Sequence, residues 1–388
     1  MEEDLNLQEQ QTEQLSLLRE LCEIPAPSLH EEARSRFVYD WLETMVKDEG
    51  AEALCRVRLE PSGNVSLLIP GKTDRVRIFS AHLDTVFPDT EPMELREDDA
   101  KLYCPGVGDD SANLVNLLFA ARHFIRRCVS EQWVPPVSLL FAASVGEEGF
   151  GNLRGSRALY ETYGERTLSF TTFDLYIPQC TGTSVGSYRC RISVRTKGGH
   201  SYHDFGSPNA IELLCRIVEM LYGIELPAAA KTTCNVGKIS GGTSVNTIAA
   251  EASCLYEYRS ESGSCMEIMR QRFEDVMKKA QDLPGEVSVE VLGIRPANAA
   301  DGDREALQRF VARNGACVKE VTGEEPSNEP ISSDANIFLA DGIPSVTLGT
   351  IRGGGAHTRG EWIEKDSLTA GLALAIQVVE AQCEEKEK

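Results

Sequence analysis

The sequence predicts an α/β protein: a mixed, mainly parallel sheet flanked by helices, with an inserted ferredoxin-like α+β lid or dimerisation domain. Three observations predict it. Short apolar strands alternate with amphipathic helices through the first half, the pattern of helices covering a largely parallel sheet. From Gly186 the order becomes β-α-β-β-α-β in one contiguous stretch, which is the ferredoxin-like plan. After Pro296 helix and strand alternate as before, so the first domain resumes. The expected segments are therefore 1–185 and 296–388 for the catalytic domain and 186–295 for the insert.

The elements follow in order. Leu15, Leu18 and Leu21 recur at helical spacing until Pro25 and Pro27 stop the helix. Ser28 followed by Glu31 reads as a capping box for a second helix, whose apolar face is Phe37, Trp41, Leu42 and Met45. Residues 76–81 read as a strand, 112–125 as a helix and 137–145 as a buried strand. In the insert, residues 188–196 alternate like a half-exposed strand and 208–222 form an amphipathic helix. Strands 232–239 and 247–259, helix 265–280 and strand 286–292 complete it. Helix 304–314, strand 345–348 and a helix from Ser367 close the fold, ahead of a short charged tail, 384–388.

Composition narrows the function. The 39 basic and 60 acidic residues leave a net charge of −21. Such a surface repels phosphate backbones and anionic lipid, which argues against nucleic acid and membrane partners. No apolar run reaches the roughly 18–20 residues that span a bilayer, and the acidic start lacks the basic and apolar segments of a secretion signal. Twelve cysteines are spread over 388 residues with no C-x-x-C pair, and several, such as Cys215 and Cys254, lie in apolar stretches. Reduced, mostly buried thiols and a cytoplasmic location are expected.

Four polar segments abruptly follow or precede apolar elements. They are His82-x-Asp84 after the first strand, Gly108-Asp109-Asp110 before a helix, Glu147-Glu148-Gly149 after residues 137–145, and His357 beyond strand 345–348. Each alone has a plainer reading: a helix cap for Asp109 and Asp110, a solvated loop for Glu147 and Glu148, a surface or core position for a histidine. Together they point to a cation. Ligands in open parallel sheets gather at the carboxyl ends of strands, so distant segments can converge. An acidic pair directly after so apolar a strand is costly to desolvate without a cation. Mixed histidine and carboxylate ligands suit Zn(II) and related divalent ions.

The segments Ala81-His82-Leu83-Asp84-Thr85-Val86, Gly106-Val107-Gly108-Asp109-Asp110, Gly146-Glu147-Glu148-Gly149 and Gly355-Ala356-His357-Thr358-Arg359-Gly360-Glu361 also carry a resemblance. In order and spacing they resemble the dinuclear metallopeptidase family of peptidase T, glutamate carboxypeptidase, aminoacylase and acetylornithine deacetylase, and in style its peptidase T-like members. The likeness covers nearly the whole chain, including an insert with Gly198-Gly199-His200-Ser201 and Gly241-Gly242-Thr243-Ser244-Val245-Asn246. It implies two divalent ions per chain, Zn(II) ahead of Mn or Co. His82, Asp174 and a bridging Asp109 would hold one; Glu148, His357 and the same Asp109 the other. Asp84 would orient the His82 imidazole, and Glu147 would be the general base, with the alternation of strand side chains separating its role from that of Glu148. His200 would stabilise the oxyanion, supplied in several relatives by the partner subunit, so a homodimer is implied; a plain turn residue is the alternative. Asn246 and Arg259 resemble residues that grip a substrate carboxylate, although Arg259 at a strand end also reads as a solvated charge.

The implied reaction is hydrolysis of an amide bond in a small peptide-like substrate, exopeptidase-like, through a metal-activated water. Deacylation of an N-acyl amino acid is the alternative, and a non-catalytic metal-binding homologue a more distant one. Two departures bear on the site. Ser111 follows Asp110 where relatives often carry lysine, and Leu175 follows Asp174 where peptidase T carries glycine. An ordinary surface aspartate is the other reading of Asp174. The cluster His30, Glu31 and Glu32 is explained by the start of a helix.

Overall fold

The chain begins with helices α1 (Glu2–Glu23) and α2 (Glu32–Asp48), then strands β1 (Arg56–Leu59), β2 (Val65–Ile69) and β3 (Val76–His82). Two short strands, β4 (Arg96–Glu97) and β5 (Lys101–Tyr103), lead to a single π-helical turn, Val107–Ser111, and to α3 (Ala112–Glu131). Next come β6 (Ser138–Ser144), α4 (Arg154–Tyr163), β7 (Thr167–Phe173) and β8 (Cys180–Thr181). The following segment holds β9 (Gly186–Arg195), β10 (Gly199–His200), α5 (Ala210–Tyr222), β11 (Thr232–Gly241), β12 (Thr247–Ile248), β13 (Glu251–Ser260), α6 (Gly263–Ala280) and β14 (Glu286–Arg295). The chain closes with α7 (Arg304–Thr322), α8 (Ala335–Leu339), β15 (Ser345–Leu348), β16 (Gly353–Gly354), β17 (Trp362–Glu364) and α9 (Ser367–Cys383). This computed structural model describes residues 2–299 and 302–384, so the charged tail beyond Glu384 lies outside the described residues. Two compact units result, one of residues 1–183 with 302–388 and one of 184–301.

In the first unit a seven-stranded sheet runs in the order β1-β2-β6-β3-β7-β15-β8. The four central strands are parallel, and the pairs toward both edges are antiparallel. Strand β3 is buried along its whole length, as a central parallel strand covered on both faces must be. Its alternation divides two cores. Phe79 stacks on Phe141, centroids 5.6 Å apart, in the core under α3 and α9. Ile78 faces the other core, where Phe170 stacks on Phe338 at 4.1 Å. Because β3, β6, β7 and β15 are parallel, the residues after His82, Ser144, Phe173 and Leu348 leave the sheet along one edge.

The second unit pairs its strands in the order β11-β13-β9-β14, antiparallel throughout, with α5 and α6 as the connecting helices. That is the ferredoxin-like arrangement. Asn209 caps α5 and Ser262 caps α6, each accepting from a first-turn amide.

Several local expectations need correction. No capping box forms at α2: its N-cap is Glu31, without a side-chain cap. Ser28 is drawn away because its hydroxyl donates to Asp84 at 2.7 Å, and Glu31, 1% exposed, accepts from Leu29 N and the Arg154 guanidinium. The strand expected at 247–259 is two, because β12 pairs with β10 while β13 joins the main sheet. Helix α7 continues to Thr322, eight residues past the expected end at 314. Strand β7 was not anticipated, since its sequence, TLSFTTF, mixes polar and apolar residues that are nearly all buried. Nine cysteines are buried, but Cys215 is exposed on α5. Among the described residues no helix is long and apolar enough to cross a membrane.

Candidate metal centre

The sheet edge delivers the expected residues to one place. His82 ends β3, Asp109 lies in the Val107–Ser111 turn, Glu147 and Glu148 follow β6, and Asp174 follows β7. His82, Asp109 and Glu148 each offer a ligand atom within 4.8 Å of the other two, as do His82, Asp110 and Asp174. All five are buried. His357, half exposed, arrives from the loop between β16 and β17.

Asp109 occupies the middle. Its Oδ1 lies 2.9 Å from His82 Nε2 and its Oδ2 3.1 Å from His357 Nε2. The same His357 nitrogen is 2.9 Å from Glu148 Oε1. One carboxylate therefore faces two imidazoles, one per oxygen. Asp174 is as buried as Asp109, and Leu175 after it adopts φ +63°. This left-handed backbone is the one glycine enters most readily, and here leucine adopts it.

Asp84 works differently from the expectation. His82 Nδ1 is closest to the Asp84 backbone carbonyl, at 3.0 Å, with the carboxylate at 3.5 Å. That carboxylate accepts instead from Glu147 N and Glu148 N, both at 3.0 Å, and from Ser28. One residue thus holds both the imidazole and the glutamate pair. Glu147 and Glu148 lie beyond the end of β6, so strand alternation does not separate them.

The electrostatics describe a cluster short of positive charge. Burial, then the neighbouring Asp109 carboxylate, raises Asp174 to about 7. Burial also lifts Asp110 well above the usual carboxylate range, and its Oδ1 has no hydrogen-bond partner among the described residues. Burial alone would lower His82, but Asp110, Asp109 and Asp84 override it and raise the imidazole well above its ordinary value. Hydrogen bonds to Asp109 and Glu148 raise His357 to about 11. Asp109 itself is held low, because its bonds to His357 and His82 outweigh burial. Two histidine nitrogens and several mostly buried carboxylate oxygens, pulling protons onto the imidazoles, form a donor set that fits divalent metal.

Residues without a role in the sequence reading support this cluster. Glu361, fully buried, accepts from Gly106 N, Gly108 N and Asp109 N. Asn113 donates to the carbonyls of Gly108 and Leu175 and accepts from Thr350 N and Oγ1, tying the segments after β5, β7 and β15 together. Ser144 at the end of β6 donates to Asp334. The glutamate was visible in the His357 segment and the asparagine directly after the Asp109 segment; their partners were not.

A model of peptidase family M20/M25/M40 matches residues 78–381. The chain belongs to that family. It is a metal-dependent hydrolase of amide bonds, as the family's peptidases and amidohydrolases are. Acetylornithine deacetylase of Myxococcus xanthus is 25% identical over 339 residues, covering 83% of this chain and 81% of its own. The aminopeptidase PepT of Bacillus cereus superposes with a TM-score of 0.72 at 22% identity, covering 96% of this chain and 98% of its own. A Bacillus subtilis protein described as a dinuclear metal-binding peptidase does so with a TM-score of 0.63 at 15% identity, covering 97% and 99%.

The remaining residues of interest lie in the second unit. His200 ends β10, is exposed, and accepts at Nδ1 from Tyr202 N, which leaves Nε2 to project. The Asn246 carbonyl accepts from Ser201 N at 3.0 Å, so these two loops are joined. Arg259 bonds Glu257 at the other end of β13. Eight residues of strand separate the ends, roughly 26 Å at about 3.3 Å per residue, so a single chain does not bring Asn246 and Arg259 to one carboxylate.

Proposed function

We propose that the chain is a cytoplasmic dinuclear exopeptidase-like enzyme that cleaves the amide bond of small peptides, with Zn(II) as its metal. The observation that carries the reading is Asp109, whose two oxygens each face a different histidine. His82, Asp174 and Asp109 would hold one ion; Glu148, His357 and Asp109 the other. Metal held by these residues would supply a lowered pKa for water and polarisation of the scissile carbonyl. Glu147, held by its backbone amide on Asp84, takes the proton from water and passes it to the leaving nitrogen. Asp84 fixes His82 through its carbonyl and the glutamate pair through its carboxylate. His200 donates to the oxygen on which charge develops. The separation of Asn246 from Arg259 supports a homodimer in which the two chains share the grip on a substrate carboxylate.

A second reading, hydrolysis of N-acyl amino acids at the same site, is favoured by the similarity to acetylornithine deacetylase. The deciding experiment assays the metal-loaded protein on di- and tripeptides and on N-acetyl amino acids, with metal content measured in parallel. Turnover of peptides well above that of acylated amino acids supports the first reading, and the reverse order the second. No turnover of either class with two ions bound would overturn both.

A further inference from the structure

We propose that Glu361 is a positioning residue that presets Asp109 for metal by stapling the loop that carries His357 to the loop that carries Asp109. The inference rests on Asp109 being the shared ligand. Glu361 lies four residues after His357, where Thr358 N reaches Gly355 O and Glu361 N reaches Thr358 O. Its side chain is fully buried. Oε2 accepts from Gly106 N at 2.7 Å, and Oε1 accepts from Gly108 N at 2.8 Å and Asp109 N at 2.7 Å. The Tyr176 hydroxyl donates to Oε1 at 3.2 Å. The Glu361 backbone carbonyl also accepts from Cys104 N. Backbone and side chain of one residue thus hold both ends of the segment 104–109.

A buried carboxylate is expensive unless its lone pairs are satisfied, and here three backbone amides and a phenol satisfy them. The loop is shaped for this partner. A Cβ on Gly108 would come 2.5 Å from the Tyr176 ring and 3.1 Å from Glu361 Oε1, so glycine lets the carboxylate reach the backbone. The amide of Asp109 is tied down while its carboxylate points at His82 and His357. The aspartate therefore does not have to be ordered when metal binds, which raises affinity at both sites that share it.

The test is Glu361→Gln, which keeps the size but turns one acceptor oxygen into a donor that faces a loop amide. Affinity for both ions, measured by calorimetry on protein with unchanged circular dichroism, should fall about 10- to 100-fold. Excess metal should restore kcat with substrate KM unchanged, a rescue that a purely structural role would not give. Wild-type affinity in the folded variant overturns the proposal. A second measurement needs no variant: in chelator-treated wild-type protein the Gly108 and Asp109 amides should be protected from hydrogen exchange, and free exchange there overturns it as well. The underlying reading is tested separately by Asp109→Ala. If that variant binds both ions normally, the shared-ligand reading has failed; if it loses both while Glu361→Gln loses none, only the role of Glu361 has failed.

Discussion

At the scale of single residues, the centre is a set of short contacts between groups distant in sequence, and its predictions concern protons and ligands. Glu147→Gln is expected to abolish turnover while both ions stay bound, since it removes a base and no ligand; metal content falling in step with activity would reverse the roles of Glu147 and Glu148. Asp109→Ala should weaken both ions, because each loses an oxygen; loss of one ion alone would show that Asp109 does not bridge. Protonation supplies a third prediction. His357, raised to about 11 by Asp109 and Glu148, carries a proton near neutral pH and must release it to bind metal. Affinity should therefore rise from pH 6 to 9, with proton uptake by the buffer, detectable by calorimetry in buffers of different ionisation enthalpy. In chelated protein the sign for stability is the opposite. Asp174, raised to about 7 chiefly by burial, favours the folded state while protonated, and that contribution is lost as pH rises from about 4 to 7. The His357 contribution is complete below about 6.5 and is lost toward 11. The melting temperature of chelated protein should fall between pH 5 and 8; a rise would refute the assignment.

At the scale of elements, position at a strand end was legible and the supporting contacts were not. Apolar runs with a polar residue at their carboxyl ends marked β3 and β6 directly, since a buried parallel strand is apolar along its length. Strand β7 escaped because Ser169 and Thr171 look like surface residues until Gln382 and Arg77 are brought against them. Ser28 resembled a helix cap because capping is a local rule, and Asp84, which takes its hydroxyl, lies 56 residues away. Helix α9 gives a test of how closely elements approach. Alanine for glycine within a helix usually gains up to about 1 kcal/mol. At Gly371, however, a Cβ would meet Thr350 O at 1.8 Å and Asn116 Nδ2 at 2.4 Å. Gly371→Ala should therefore destabilise by about 1–3 kcal/mol in urea unfolding. It should also lower activity, because Thr350 is bonded to the Asn113 that ties the Gly108 and Leu175 loops. Unchanged stability would mean that α9 shifts freely.

At the scale of the whole molecule, the prediction concerns two chains. If His200 serves the site of a second chain, its loss and the loss of Glu147 fall on different halves of one working centre. Mixing His200→Ala with Glu147→Gln under exchange conditions should then restore one active site per heterodimer. Continued inactivity, with exchange confirmed independently, would mean that each chain completes its own site or that His200 takes no part.

The sequence by itself determined the fold class and the chemical character of the centre. Period and alternation set helix and strand locally, and histidines and carboxylates at the carboxyl ends of parallel strands are brought to one place. Tertiary structure alone decided which atom meets which. It turned the Asp84 carboxylate toward the Glu147 and Glu148 amides and offered His82 the carbonyl instead. It aimed one oxygen of Asp109 at each histidine, and buried Glu361 beneath a loop some 250 positions earlier in the chain. Such contacts depend on distances of a few ångströms between segments whose separation is set by the packing of the entire sheet, and no local pattern encodes them.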